Sequence, residues 1–256
     1  GNDDARTEEG ALRRHEAGGL WRQVHNAAVP WGDYAVYGYA FVPPTPFMLK
    51  DWERYDVSRY LDPLCVAPEE GWLTVPVEPG RLKHQTIQSD LERLTRGRDL
   101  ARAIFLFHAP PYDTGLDRAA LDGQKYKHVQ LDVHVGSIAI RRFIESRQPL
   151  VTLHGHIHES ARLTGTWMER IGRTVALSAA HDGPELALVR FDPARPAVKL
   201  LAIEGYAVVA GRLGVVVERL RLTDRLEDRA VPTERVEQLR LERAHVLDGD
   251  VVEPAG

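Results

Sequence analysis

Two groups of histidines carry the chemistry this sequence can do. The apolar run Ala103-Ile104-Phe105-Leu106-Phe107 stops at His108-Ala109-Pro110-Pro111, and Pro149-Leu150-Val151-Thr152-Leu153 stops at His154-Gly155-His156-Ile157-His158. Short continuous apolar runs of this kind read as strands buried on both faces. Open α/β sheets bind ligands outside the carboxyl ends of their strands, which is where both groups fall. Imidazole is also the commonest protein ligand for borderline transition metals. Residues i and i+2 of an extended segment point the same way, so His156 and His158 are expected to face one site while Ile157 packs behind. A lone histidine would read as a core residue. Two groups ending two strands read as a metal site.

Other elements must hold those strands in place. A charged, Ala/Leu-containing stretch over 6–17 closes on Gly18-Gly19 and predicts a helix with a glycine stop. Trp21–Asn26 and Tyr34–Ala40 alternate as strands do, with Pro30 to Asp33 as the turn. Val42 to Pro79 is rich in proline and reads as an irregular excursion; its Trp52, Tyr55 and Tyr60 are expected to pack it rather than to stack on a nucleobase. His84–Arg98 and Gly136–Ser146 read as helices, and Thr174–Leu177 and Leu186–Phe191 as further strands. The order of strand, loop, helix and strand is an α/β pattern. Further on, Tyr206–Ala210 and Val215–Leu222 suggest a hairpin, and Pro232–Ala244 an amphipathic helix capped by Thr233.

Composition excludes several classes. The 256 residues are 43% hydrophobic and 27% charged, with a formal net charge of -4. No apolar run is long enough to cross a membrane, and basic residues are interleaved with acids, as in Arg219–Arg229, which argues against a nucleic-acid partner. A single cysteine, Cys65, rules out a disulfide framework and a CxxC zinc module and points to a reducing, cytoplasmic setting. There is no GxSxG elbow, HExxH helix or P-loop, so serine hydrolase and kinase chemistry are poor readings.

With these residues in view, the sequence resembles the calcineurin-like metallophosphoesterases. Gly1-Asn2-Asp3-Asp4, His108 in His-Ala-Pro-Pro and Gly155-His156-Ile157-His158 match, in order, the last three motifs of that superfamily. The flanking segments Val42–Phe47, His108–Asp117, His134–Ser137 and Gly155–Ser160 are similar to the branch related to bacterial cyclic-AMP phosphodiesterases. The resemblance covers about residues 1–203, leaving 204–256 as a C-terminal extension. It implies a four-layer αββα sandwich around two divalent ions (Mn, Fe or Zn), with Asn2, His108 and His156 on the second ion and His158 reaching the first. Two such ions clamp a phosphate ester and activate a water for in-line attack.

The departures from the family pattern weigh as much as the matches. The D-x-H and GDxxD blocks, which supply the bridging Asp and most ligands of the first ion, have no counterpart, so the sandwich is expected to lack its first strands. The leading explanation is an N-terminally truncated chain or incomplete gene model, in keeping with Gly1 in place of a methionine; the other is a variant with one incomplete metal site. Where many relatives have a catalytic His in GNH, this chain has Asp3, so the general acid is expected to be Asp3, His134 or none. His134, before the helix start at Gly136-Ser137, is a candidate phosphate contact, with a helix-capping loop residue as the equal alternative. Tyr112 is a candidate for lining the substrate cleft. His154 fits no family position and reads as a histidine packed behind the site. The expectation is a metal-dependent hydrolase of phosphate esters, diesters more than monoesters, on a small-molecule or nucleotide substrate. The alternative is a truncated or degenerate relative that binds metal or a partner without turnover.

Overall fold

The two apolar runs form neighbouring strands at the centre of a six-stranded sheet. In chain order the strands are β1 (Ala27–Trp31), β2 (Tyr34–Tyr39), β3 (Ala103–Phe107), β4 (Lys125–Tyr126), β5 (Val129–Gln130), β6 (Val151–His154), β7 (Met168–Ile171), β8 (Thr174–Ser178), β9 (Glu185–Leu186) and β10 (Tyr206–Ala207). The large sheet runs β1-β2-β3-β6-β8-β7, with β4-β5 and β9-β10 as separate two-stranded pieces. Strands β2, β3, β6 and β8 are parallel, while β1 and β7 close the edges antiparallel. The computed structural model describes residues 1–183 with 185–187, 189, 191–194, 196 and 206–207, all within one unit, Gly1–Val209.

The helices are α1 (Glu9–Ala17), preceded by a 3-10 turn at Arg6–Glu8, then α2 (Pro79–His84), α3 (Ile87–Leu94), α4 (Ile138–Arg147) and α5 (Ser160–Thr164). One sheet face is aromatic. Tyr37, Tyr39, Phe105 and Phe107 pack under Ile87 and Leu91 of α3 and Ile140, Phe143 and Ile144 of α4. Alternation along the strands sends Ile104, Val151, Val175 and Leu177 to the opposite face, where Trp167, Val189 and Phe191 pack against them. The chain is thus mixed α/β around a multistranded sheet. Among the described residues no helix is long and apolar enough to cross a membrane.

Several expected boundaries move, each for a local reason. Trp21–Asn26 is not a strand; β1 begins at Ala27, because Asn26 sits at φ 52° and breaks an extended run. Pro30 therefore lies within β1, on a sheet edge where its missing N–H is tolerated. The helix expected over His84–Arg98 divides: Thr86 is extended and caps α3, its hydroxyl accepting from Ser89 N–H while the Ser89 hydroxyl accepts from Thr86 N–H. Of Leu186–Phe191, Leu186 lies in β9, while Ala187, Val189 and Phe191 lie in no strand. Tyr206–Ala207 pair with β9, and the rest of the expected hairpin and the helix over Pro232–Ala244 lie outside the described residues.

The excursion from Val42 to Pro79 is irregular, as expected, and polar bonds hold it. The ammonium of Lys50 and the carboxylate of Glu53 are both fully buried and 2.5 Å apart, and Lys50 also donates to Thr45 O. Trp52 and Tyr55 pack inward, whereas Tyr60 is 72% exposed, against the expectation that it packs the loop.

Candidate functional site

Parallel pairing of β3 with β6 puts His108 and the 154–158 segment at the same end of the sheet. Beyond the strands, Gly155 N–H donates to His108 O at 2.9 Å, which ties the two loops together. The imidazoles of His108 and His156 lie 5.1 Å apart between ring centroids. Asn2, 5% exposed, brings its side-chain oxygen to 3.1 Å from His108 Nε2. Asp3 is exposed and accepts from the Asn2 amide at 3.3 Å. Burial, reinforced by His156, lowers the His108 pKa to about 3. Burial lowers that of His156 to about 4, with Asp3 pulling the other way. Both imidazoles are therefore neutral at ordinary pH, the form in which they bind metals.

The backbone at His156 differs from the extended segment that alternation predicts. Strand β6 ends at His154, and His156 has φ 74° inside a three-residue turn closed by Ile157 N–H to Gly155 O at 3.0 Å. Ile157 is buried, as expected, and His158 is exposed beside the site. His154 is buried, stacked on Phe107, and both ring nitrogens are engaged, with Ala109 O and the Thr152 hydroxyl at 2.8 Å each.

The loop after His108 is built on a carboxylate to which the sequence patterns give no role. Asp117 is fully buried and accepts from the amides of Asp113, Thr114 and Gly136 at 3.0 Å and from His134 Nδ1 at 2.8 Å. Its place in the segment opened by His-Ala-Pro-Pro is the available signal. The Tyr112 hydroxyl donates to Asp132 at 2.6 Å, which pushes its pKa up to about 12. The N-terminus of α4 is occupied by Asp56, whose carboxylate accepts from the Ser137 hydroxyl and the amides of Ile138 and Ala139. His134 therefore neither caps that helix nor shares an open anion site there; Ser137 is the cap and Asp56 the anion.

The residues present can be tested for a metal. Two donors on one ion, each about 2.1 Å from it and at right angles, lie about 3 Å apart. Asn2 Oδ1 and His108 Nε2 have that spacing. With His156, whose ring lies 5.1 Å from that of His108 between centroids, they offer one ion three neutral donors. Among the described residues no three His, Cys, Asp or Glu side chains are grouped to hold a metal.

No protein-family model and no curated protein matches this chain. One solved crystal structure aligns over 79% of the chain and 63% of its own length, at 16% identity and a TM-score of 0.47. The crystal structure of TT1561 of Thermus thermophilus aligns over 77% and 65%, at 16% identity and 0.40. That of a putative 5'-nucleotidase from Staphylococcus aureus, in complex with alpha-ketoglutarate, aligns over 86% and 33%, at 14% identity and 0.29. The chain spans less than two thirds of each of these structures, and likenesses this distant do not bear on what it does.

Proposed function

We propose that this chain binds one divalent transition-metal ion through Asn2, His108 and His156, with His158 at the rim, and hydrolyses phosphate esters there, diesters in preference to monoesters. The observation that carries the reading is the meeting of three neutral donors from three distant segments at the carboxyl end of parallel strands. Neutral imidazoles at this depth give a metal no proton to displace. A bound divalent ion would polarise the phosphoryl oxygens and lower the pKa of a water.

The chain's own groups divide the remaining work. Asn2 presents an oxygen beside His108, and the His156 ring lies 5.1 Å from the His108 ring between centroids. Asp3, the exposed carboxyl beside Asn2, is the candidate general acid toward a leaving group. Tyr112 and His134, on the loop that follows His108, are the candidates for contacts to the organic part of the ester. A reducing compartment such as the cytoplasm is proposed on the single cysteine, Cys65.

A second reading keeps metal binding without turnover, and the lack of a grouped carboxylate set among the described residues favours keeping it. Hydrolysis of bis(p-nitrophenyl) phosphate with added Mn²⁺, beside a Mn²⁺-binding titration, separates the two. Hydrolysis that needs Mn²⁺ and vanishes in His108→Ala supports the enzyme; binding without hydrolysis supports the second reading. Binding unchanged in His108→Ala removes both.

A further inference from the structure

Asn2 belongs to no strand or helix, so its position depends on what anchors the segment it sits on. Only Asp3, Asp4 and Ala5 separate it from Arg6, whose backbone N–H donates to Asp51 Oδ2 at 2.8 Å. Asp51 is 2% exposed. Its Oδ1 accepts from Thr74 N–H at 2.8 Å, and the Thr74 hydroxyl donates to Oδ2. That hydroxyl in turn accepts from Thr7 N–H at 3.2 Å. Two consecutive amides are thus moored to one Asp–Thr pair in the excursion, and the Arg6 guanidinium lies 5.2 Å from the Trp52 ring centroid. A buried carboxylate with three donors is a stiff anchor, because none of those bonds can be exchanged for water without exposing it.

We infer that Asp51 is a positioning residue: by holding the Arg6 amide it sets the segment that brings the Asn2 side-chain oxygen to His108. The inference rests on the metal reading above and adds to it the element that builds the amide ligand into the site.

The test uses a pair of substitutions at one position. Arg6 is the first residue of its helical turn and follows an extended Ala5 (φ -74°, ψ 129°), a place where proline is tolerated. Arg6→Pro removes the N–H that Asp51 accepts; Arg6→Ala removes the same side chain and keeps the N–H. Mn²⁺ affinity is read by electron paramagnetic resonance on the full chain, with Asp51→Asn and Asn2→Ala alongside. Arg6→Ala should bind within about twofold of the unaltered chain, and Arg6→Pro and Asp51→Asn about tenfold more weakly. In an Asn2→Ala background, Arg6→Pro should add no further loss, because its effect runs through Asn2. Equal affinity for Arg6→Pro and Arg6→Ala overturns the inference, as does a proline penalty that persists without Asn2. If neither Asn2→Ala nor His108→Ala weakens binding, the metal reading fails and the positioning role goes with it; loss in those two alone removes only the role of Asp51.

Discussion

At His156 the backbone and the proposed chemistry pull in different directions. A non-glycine residue at φ 74° is held against its own preference, typically at a cost of about 1–3 kcal/mol, and such positions gather at functional sites. His156→Gly removes that strain along with the imidazole. It should raise the unfolding free energy by about 1 kcal/mol in urea titrations while Mn²⁺ binding is lost. A destabilised variant would mean that packing of the ring outweighs the strain. The residue types of the site are legible: motif order alone names Asn2, His108 and His156, and the structure brings them together. Their geometry is not. Alternation assumes an extended chain through His158, and no pattern in Gly155-His156-Ile157 announces a three-residue turn. Asp51 and Asp117 are illegible for another reason: a buried carboxylate is defined by which amides surround it, and those come from segments far apart in sequence.

Elements are readable where one force sets them. Strands β3 and β6 are buried along most of both faces, Leu106 of β3 being exposed, so their apolar runs stand out, and α4 shows an apolar face. Strand β1 lies on an edge and carries Pro30 and Trp31, so its sequence has no such signature. Asp56 shows how one element depends on another. It reaches from the excursion to the start of α4, where burial pushes its pKa up despite bonds from Ser137, Ile138 and Ala139. Asp56→Ala leaves those helix-start donors without an acceptor in a part-buried place. The expected loss is about 2–3 kcal/mol of stability, with faster hydrogen exchange at Ile138 and Ala139. A loss below about 0.5 kcal/mol would show that water takes over the carboxylate's place.

At the scale of the molecule, four of the described histidines are largely withdrawn from water and make the fold acid-sensitive. His25, His154 and His156 are lowered to about 4 and His108 to about 3, burial being the main cause in each. In the unfolded chain each returns to about 6.5. Below that value the unfolded state binds more protons than the folded one, so stability is fully present above about pH 6.5 and is lost as pH falls toward 4. For a histidine lowered to about 4, the loss by pH 5 is about 2 kcal/mol. Glu53 and Asp56 are raised by burial and run the other way, gaining stability as pH falls through their folded values toward the unfolded ones. A single-residue comparison cancels those carboxylates. His25 accepts from Ala40 N–H at 3.1 Å and is packed among Tyr39, Phe41 and Trp52. His25→Gln can keep an acceptor there but has nothing to titrate. Urea unfolding at about pH 7.5 and about pH 5 should therefore show the unaltered chain losing about 2 kcal/mol more than His25→Gln does. Equal losses would mean that His25 charges in place, through water reaching the aromatic cluster. The acid sensitivity would then belong to the histidines around β3 and β6 alone.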